Sequence, residues 1–307
     1  MKQLSMYFII TTILFSCGED EPKKEITSCF ADKAIPKVFT ANKNQKENLN
    51  ISILLDLSDR IDPKKFPKES MEYYERDVKY IQSIAEAFNF HLRTKRINQM
   101  NDKIQLFFDP EPKSKQISNI SQRLKFQIDK TSITNELLCE IDSAYATLPV
   151  EIYNQAISDN DYIGSNTWGF FKSKVKDYCI EEEFRNILII LTDGYIYHED
   201  IKRQEGNLTS YLIPQYIRSK RLNTFDWSTK IQEKKHGFIP ATQNLSNLEV
   251  LVLGLHPDKD NPYEEDVIRT YWNNWLTAMQ AKRFAIKNAD LPPHMDKIIK
   301  DFILLKK

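Results

Sequence analysis

The chain has 307 residues, 41% hydrophobic and 28% charged, a composition that excludes a disordered polypeptide and suits one large core or two small ones. Its 43 Lys+Arg balance 43 Asp+Glu to a formal net charge of zero, so no basic excess draws it to nucleic acid. Only 7 glycines are present, which argues against long flexible linkers and Gly-rich phosphate cradles.

The N-terminus differs in character from the rest. Lys2 precedes an apolar run from Met6 to Phe15. That run falls short of the about 20 residues a membrane-spanning helix needs. It fits the apolar centre of a secretory signal, with a buried N-terminal strand as the alternative. Leu14-Phe15-Ser16-Cys17, directly after it, resembles the lipobox of bacterial lipoproteins, although Phe15 departs from the small residue usual at its position. The resemblance implies a signal peptide over 1–16, cleavage before Cys17 and lipidation of the Cys17 thiol. It places the chain in a bacterial cell envelope, membrane-anchored through lipid and either periplasmic or exposed at the outer surface. Glu19, Asp20 and Glu21 follow. They are similar to the acidic tags that direct some Gram-negative lipoproteins to the outer surface, or they belong to a solvated tether. Residues 17–47, rich in Lys, Glu, Asn and Pro, read as a flexible tether with too little apolar area to order itself.

A folded domain is expected over 48–307. Asn50–Asp56 is a short, largely apolar run that reads as a strand buried on both faces. Pro63 and Pro67 break the chain. Tyr74, Val78, Ile81, Ala85 and Phe88 then recur at helical spacing, predicting a helix over about 69–90. Ile104–Phe108 predicts a second strand, stopped by Asp109-Pro110, and 117–130 suits either a helix or a strand. Ser132–Tyr153 predicts a helix, 159–169 a polar loop and Phe170–Ile180 a further helix. Asn186–Gly194 is the clearest buried strand, and Glu249–Leu255 is another. A helix over about 263–280, a short strand at Arg283–Ile286 and a helix from Pro292-Pro293 to about Leu305 complete the chain. Trp272 and Trp275 lie at helical spacing and read as core. Alternating strands and helices predict an α/β fold, a doubly wound and mostly parallel sheet, Rossmann-like. More than fifty residues separate Gly194 from Glu249, whereas a crossover needs about a dozen or somewhat more, so an insertion is expected over about 199–245, after the fourth core strand.

Cys29, Cys139 and Cys179 lack CxxC spacing. A Cys139–Cys179 bridge with Cys29 free, another pairing, and three reduced thiols all remain open.

Ligands of such sheets bind beyond the carboxyl ends of the strands. Asp56-Leu57-Ser58-Asp59-Arg60 follows the first strand and Thr192-Asp193-Gly194 the strongest one. Ile163-Gly164-Ser165-Asn166-Thr167 leads into a helix between them. Carboxylates and hydroxyls at one edge make an oxygen-rich site of the kind hard cations favour. They also suit plain helix and loop capping.

In this order the motifs resemble the von Willebrand factor type A family over about 48–307. Asp56 and Ser58 stand in the register of its Asp-x-Ser-x-Ser motif, with Arg60 in place of the last serine. Ser165, or else Thr167, corresponds to the loop hydroxyl, and Asp193-Gly194 to the closing Asp-Gly. The resemblance implies a metal-ion-dependent adhesion site of Asp56, Ser58, Ser165 and Asp193, holding Mg²⁺. Arg60 is the departure, because a guanidinium has no acceptor atom and cannot ligate a metal. Pointing inward, it takes the cation's place; pointing outward, it leaves a ligand position to water.

The expected function is therefore a binding module for a protein partner, with Arg60, Thr167, Arg218 and Arg221 as contacts. The last two come from an insertion that also carries Tyr197, Tyr211, Tyr216, Phe225 and Trp227, residue types common at interface hot spots. No catalytic assignment is made, since no metalloprotease or nucleophile-elbow motif occurs. The alternatives are a metal-assisted hydrolase using Asp56, Asp193 and His198, or an envelope-assembly scaffold with a vestigial site.

Overall fold

The first strand, β1 (Asn48–Leu55), is buried along almost its whole length, as its run of branched residues requires of a central strand. The structure is a computed structural model that describes residues 47–67, 70–162 and 164–305. The expected signal peptide, the lipidation site Cys17, Cys29 and nearly all of the tether lie outside them. After β1 come α1 (Tyr73–Thr94), β2 (Asn101–Phe108), α2 (Lys115–Gln122), β3 (Phe126–Asp129) and α3 (Asn135–Asp159). The short helices α4 (Thr167–Ser173) and α5 (Val175–Cys179) lead to β4 (Phe184–Leu191). Next come the two-residue strands β5 (Gln204–Glu205) and β6 (Leu208–Thr209), helices α6 (Pro214–Ser219) and α7 (Trp227–Lys234), and β7 (Gly237–Phe238). The chain closes with β8 (Leu248–Leu255), α8 (Glu264–Ala278), β9 (Arg283–Asn288) and α9 (Pro292–Leu304).

Six strands form one sheet in the order β3-β2-β1-β4-β8-β9. All pairings are parallel except β2 with β3. The α/β, doubly wound and mostly parallel sheet expected from the alternation is therefore present, with one antiparallel edge. Ile51, Ile53 and Leu55 of β1, with Ile187 and Ile189 of β4, meet α1, α3 and α9 on one face. Leu54, Leu188, Ile190 and Val252 meet α4, α5 and α8 on the other. Along α1 the expected stripe is real: Val78, Ile81, Ala85 and Phe88 are buried, and Glu72 and Glu75 cap the N-terminus reciprocally. Trp272 and Trp275 are fully buried, as read.

Three sequence expectations change in detail. The ambiguous stretch 117–130 divides into the end of α2 and the edge strand β3. The helix expected over Phe170–Ile180 is two, interrupted at Lys174. A Cys139–Cys179 bridge does not form: Cys179 is a free thiol buried under the sheet, and burial pushes it up to about 12. Cys139 is disulfide-bonded.

Between β4 and β8 a small three-stranded sheet in the order β5-β6-β7 accompanies α6 and α7. Indole N–H groups of Trp168 and Trp275 both donate to Ile239 O, at 2.8 and 3.0 Å, which fixes the end of this segment to the main core. At the amino-terminal edge of the main sheet, buried Asp102 accepts from Leu49 N and Lys95 Nζ and lies 3.1 Å from His91, tying α1, β1 and β2 together. Among the described residues no helix is long and apolar enough to cross a membrane.

Candidate functional site at the carboxyl edge of the sheet

From β1 the chain leaves toward β2, and from β4 it leaves toward β8 on the other side. The carboxyl ends of β1 and β4 therefore flank the point where the winding reverses, which opens a crevice. Asp56 follows β1 and Thr192-Asp193 follows β4 there. The two strand ends are stitched by Asp56 N donating to Leu191 O at 3.1 Å.

Asp56 is 4% exposed, and both its oxygens are engaged. Oδ1 accepts the Ser58 N–H at 2.9 Å, a short-range turn that Asp favours. Oδ2 accepts the Thr192 hydroxyl at 2.9 Å and lies 3.7 Å from Arg60 Nε. Arg60 itself is 4% exposed and points inward. Its Nη2 donates to Asp77 Oδ2 at 2.5 Å and to Leu191 O at 3.1 Å. Tyr153 on α3 donates to the same Asp77 oxygen at 2.8 Å. Burial alone would lower the guanidinium's pKa, but Asp77 and then Asp56 outweigh it and the net shift is upward. Burial raises Asp77 despite the pairing with Arg60, and drives Tyr153 well above the usual phenol range. The expectation that Arg60 contacts a partner is thus corrected: it is a fixed internal cation, placed by the short turn after β1 among carboxylates of β1 and α1.

Above this buried layer lies a cleft of about 720 Å³. Ser58, Arg60, Ser165 and Asp193 line it, with Tyr73, Tyr195 and Tyr197 as aromatic wall. The four residues read as metal ligands, Asp56, Ser58, Ser165 and Asp193, therefore meet at one edge, but Asp56 lies beneath the cleft and the other three face it. Asp193 is half-buried. One of its oxygens accepts Tyr195 N–H at 3.0 Å. Burial, and then the charge of Asp56, push its carboxyl up to about 7 against the opposing pull of Arg60. The turn is held by Gly194 at φ +98, where a Cβ would strike Ile268 Cγ2 at 2.7 Å, so only glycine fits without displacement.

Ser165 is 4% exposed, and its Oγ lies 2.9 Å from Thr167 Oγ1. Thr167 is 2% exposed at the start of α4, so its expected role as a partner contact is also corrected: its hydroxyl is spent on Ser165. The loop is held by paired backbone bonds between Ser165 and Tyr197, at 2.9 and 3.1 Å. Gly164 packs so close to Tyr197 O that a Cβ would lie 2.4 Å away.

Arg218 is exposed on α6 and pairs with Asp258 at the cleft rim, 3.1 Å away. Arg221 is exposed on the following turn, in a left-handed conformation, its N–H bonded to Arg218 O. Of the aromatics read as anchors, Tyr197 faces the cleft, Tyr216 is buried against Tyr211, and Phe225 is 84% exposed. His198 is not among the cleft-lining residues: its Nδ1 accepts Asp200 N–H at 3.4 Å and faces that carboxylate at 3.7 Å. Among the described residues no group of three or more acidic, His or Cys side chains is arranged to hold a metal.

Sequence reasoning missed Asp77, Tyr153 and His256. Asp77 had a signal: an acid beside Val78, on the buried face of an otherwise apolar helix stripe, demands a partner. His256, which packs against Tyr73 in a tilted arrangement with ring centroids 4.6 Å apart, had none.

No protein-family profile and no curated protein matches the chain. Among solved structures it is similar to an aerotolerance-related membrane protein from Bacteroides fragilis NCTC 9343, carrying multiple mutations to serines. That match has 12% identity over 83% of this chain and 98% of that one, with a TM-score of 0.38. The pilus adhesin SpaC from Lactobacillus rhamnosus GG matches in two structures, at 11% and 13% identity, each over 84% of this chain and 30% of the adhesin with a TM-score of 0.38. The chain thus spans less than a third of the adhesin's length.

Proposed function

We propose that residues 48–307 form a von Willebrand A-like binding module that recruits a protein partner through the cleft at the carboxyl edge of its sheet. In this reading the module is held in the bacterial cell envelope by a lipid on Cys17, and 199–245 is an insertion that builds one wall of the cleft. The observation that carries the reading is the cleft itself, set at the winding-reversal point with tyrosines as its wall. It joins aromatic surface to a few convergent polar groups, the usual make-up of a recognition site.

The residues present do not fit a resident Mg²⁺. A hard cation needs free oxygens and tolerates no fixed positive charge among them. Asp56 has spent both oxygens, and Arg60 occupies the centre of the buried carboxylate layer. The edge therefore works without metal, with Arg60 supplying the positive charge that organises Asp56 and Asp77.

Gln215 is exposed on α6 and lines the cleft, so a large side chain there obstructs the mouth without disturbing the core. Gln215→Trp is expected to reduce partner recovery from native envelope at least several-fold while its melting curve matches the parent. Equal recovery by a folded Gln215→Trp variant would move the contact surface elsewhere.

A further inference from the structure

We infer that the cleft receives a basic side chain, lysine or arginine, from an extended segment of the partner, with its cation seated on Asp193. The inference rests on the proposed function and specifies the chemistry of its partner.

Arg60 cannot serve an acid. It is 4% exposed, and its guanidinium is shared among Asp77, Asp56 and Leu191 O. The other carboxylates around the edge have their cations too. Asp59 pairs with Lys65 at 3.2 Å and Asp258 with Arg218 at 3.1 Å. Asp193 differs: it lines the cleft, and among the described residues no Lys, Arg or His lies within ion-pair distance of it. A cation delivered from outside supplies the missing partner, and the half-buried setting makes the pair stronger than a surface one.

The walls suit the rest of such a residue. Tyr195, Tyr197 and Phe66 offer apolar surface on which a lysine or arginine stem packs. Lys259 stands exposed at the rim and opposes a basic ligand only weakly through solvent.

The test uses three acetylated, amidated tripeptides, Gly-Arg-Gly, Gly-Lys-Gly and Gly-Glu-Gly, titrated into the purified full chain by ligand-observed NMR. The arginine and lysine peptides are expected to bind with about millimolar affinity, as suits a single anchoring residue, and the glutamate peptide not to bind. Asp193→Asn should weaken the arginine peptide about tenfold, and Asp193→Glu should restore most of that loss. Lys259→Glu, outside the pocket floor, should tighten the arginine peptide. Failure of the arginine peptide to bind, binding of the glutamate peptide, or an affinity unchanged by a folded Asp193→Asn variant each overturns the inference. If Gln215→Trp still lowers partner capture in any of those cases, the cleft remains the docking site and only the chemistry of its ligand is wrong.

Discussion

Replacing Arg60 with serine should lower the unfolding free energy by about 3–5 kcal/mol, the usual cost of removing one partner of a buried ion pair. The change leaves Asp56 and Asp77 within one dry layer, with Tyr153 and Thr192 still donating to them. Their mutual repulsion then has no compensation except protonation, so the loss should grow with pH. It also removes the buried cation and puts a neutral hydroxyl oxygen in its place. Mg²⁺ should accordingly raise the melting temperature of Arg60→Ser and leave the native chain unaffected. Adding Asp77→Asn to Arg60→Ser should recover part of the stability, because one of the two stranded charges disappears. Urea unfolding of the native chain and both variants, with and without Mg²⁺, measures all of this. A loss well under 1 kcal/mol for Arg60→Ser would mean that the guanidinium is not buried among these carboxylates.

Asp193→Asn should have the opposite sign. The Asp193 carboxyl titrates near 7 when folded, against an ordinary value of 3.8. Between those values the folded state holds more protons than the unfolded one, so its stability falls as pH rises through that window and levels off above it. This is the reverse of the common salt-bridged aspartate, whose contribution is lost as pH falls. The groups that set the shift are Asp56 and Asp59, which raise it, and Arg60 and the Tyr195 N–H, which lower it. Asparagine keeps an oxygen for the Tyr195 N–H and carries no charge to penalise. At pH 8 the variant should therefore be more stable than the native chain by on the order of 1–2 kcal/mol, after discounting for the carboxyl's partial exposure to solvent. At pH 4 the two should be alike. Paired denaturation curves across that range test it, and a variant less stable than the native chain at pH 8 would show that the Asp193 charge is already satisfied. A residue that costs stability where it stands is a common mark of a binding site.

The architecture was readable because its signals are local. Continuous branched runs mark β1, β4 and β8, and the helical stripe of α1 needs only the spacing of Val78, Ile81, Ala85 and Phe88. The edge residues were readable for the same reason, since a strand's end fixes which side chains leave at the carboxyl edge. Side-chain direction was not. Whether Arg60 turned in or out depended on Asp77, 17 positions along the chain, and on the Tyr153 hydroxyl, 76 positions beyond Asp77. Thr167 looked like an open loop hydroxyl, but the first turn of α4 begins on it and turns its Oγ1 to Ser165. The state of Cys179 stayed open in the sequence because spacing says nothing about depth: at the end of α5 it sits beneath β1, where Asn50 Nδ2 reaches its carbonyl at 3.2 Å. His198 was read as near Asp193 on sequence distance, yet it is not among the residues that line the cleft.

The central claim is that this edge captures its ligand without metal, with the buried Arg60 supplying the positive charge among its carboxylates. Calorimetric titration of Mg²⁺ into the purified native chain tests it most directly. The account predicts no saturable heat at millimolar Mg²⁺ and a melting temperature indifferent to EDTA, whereas stoichiometric Mg²⁺ binding abolished by Asp193→Asn would contradict it.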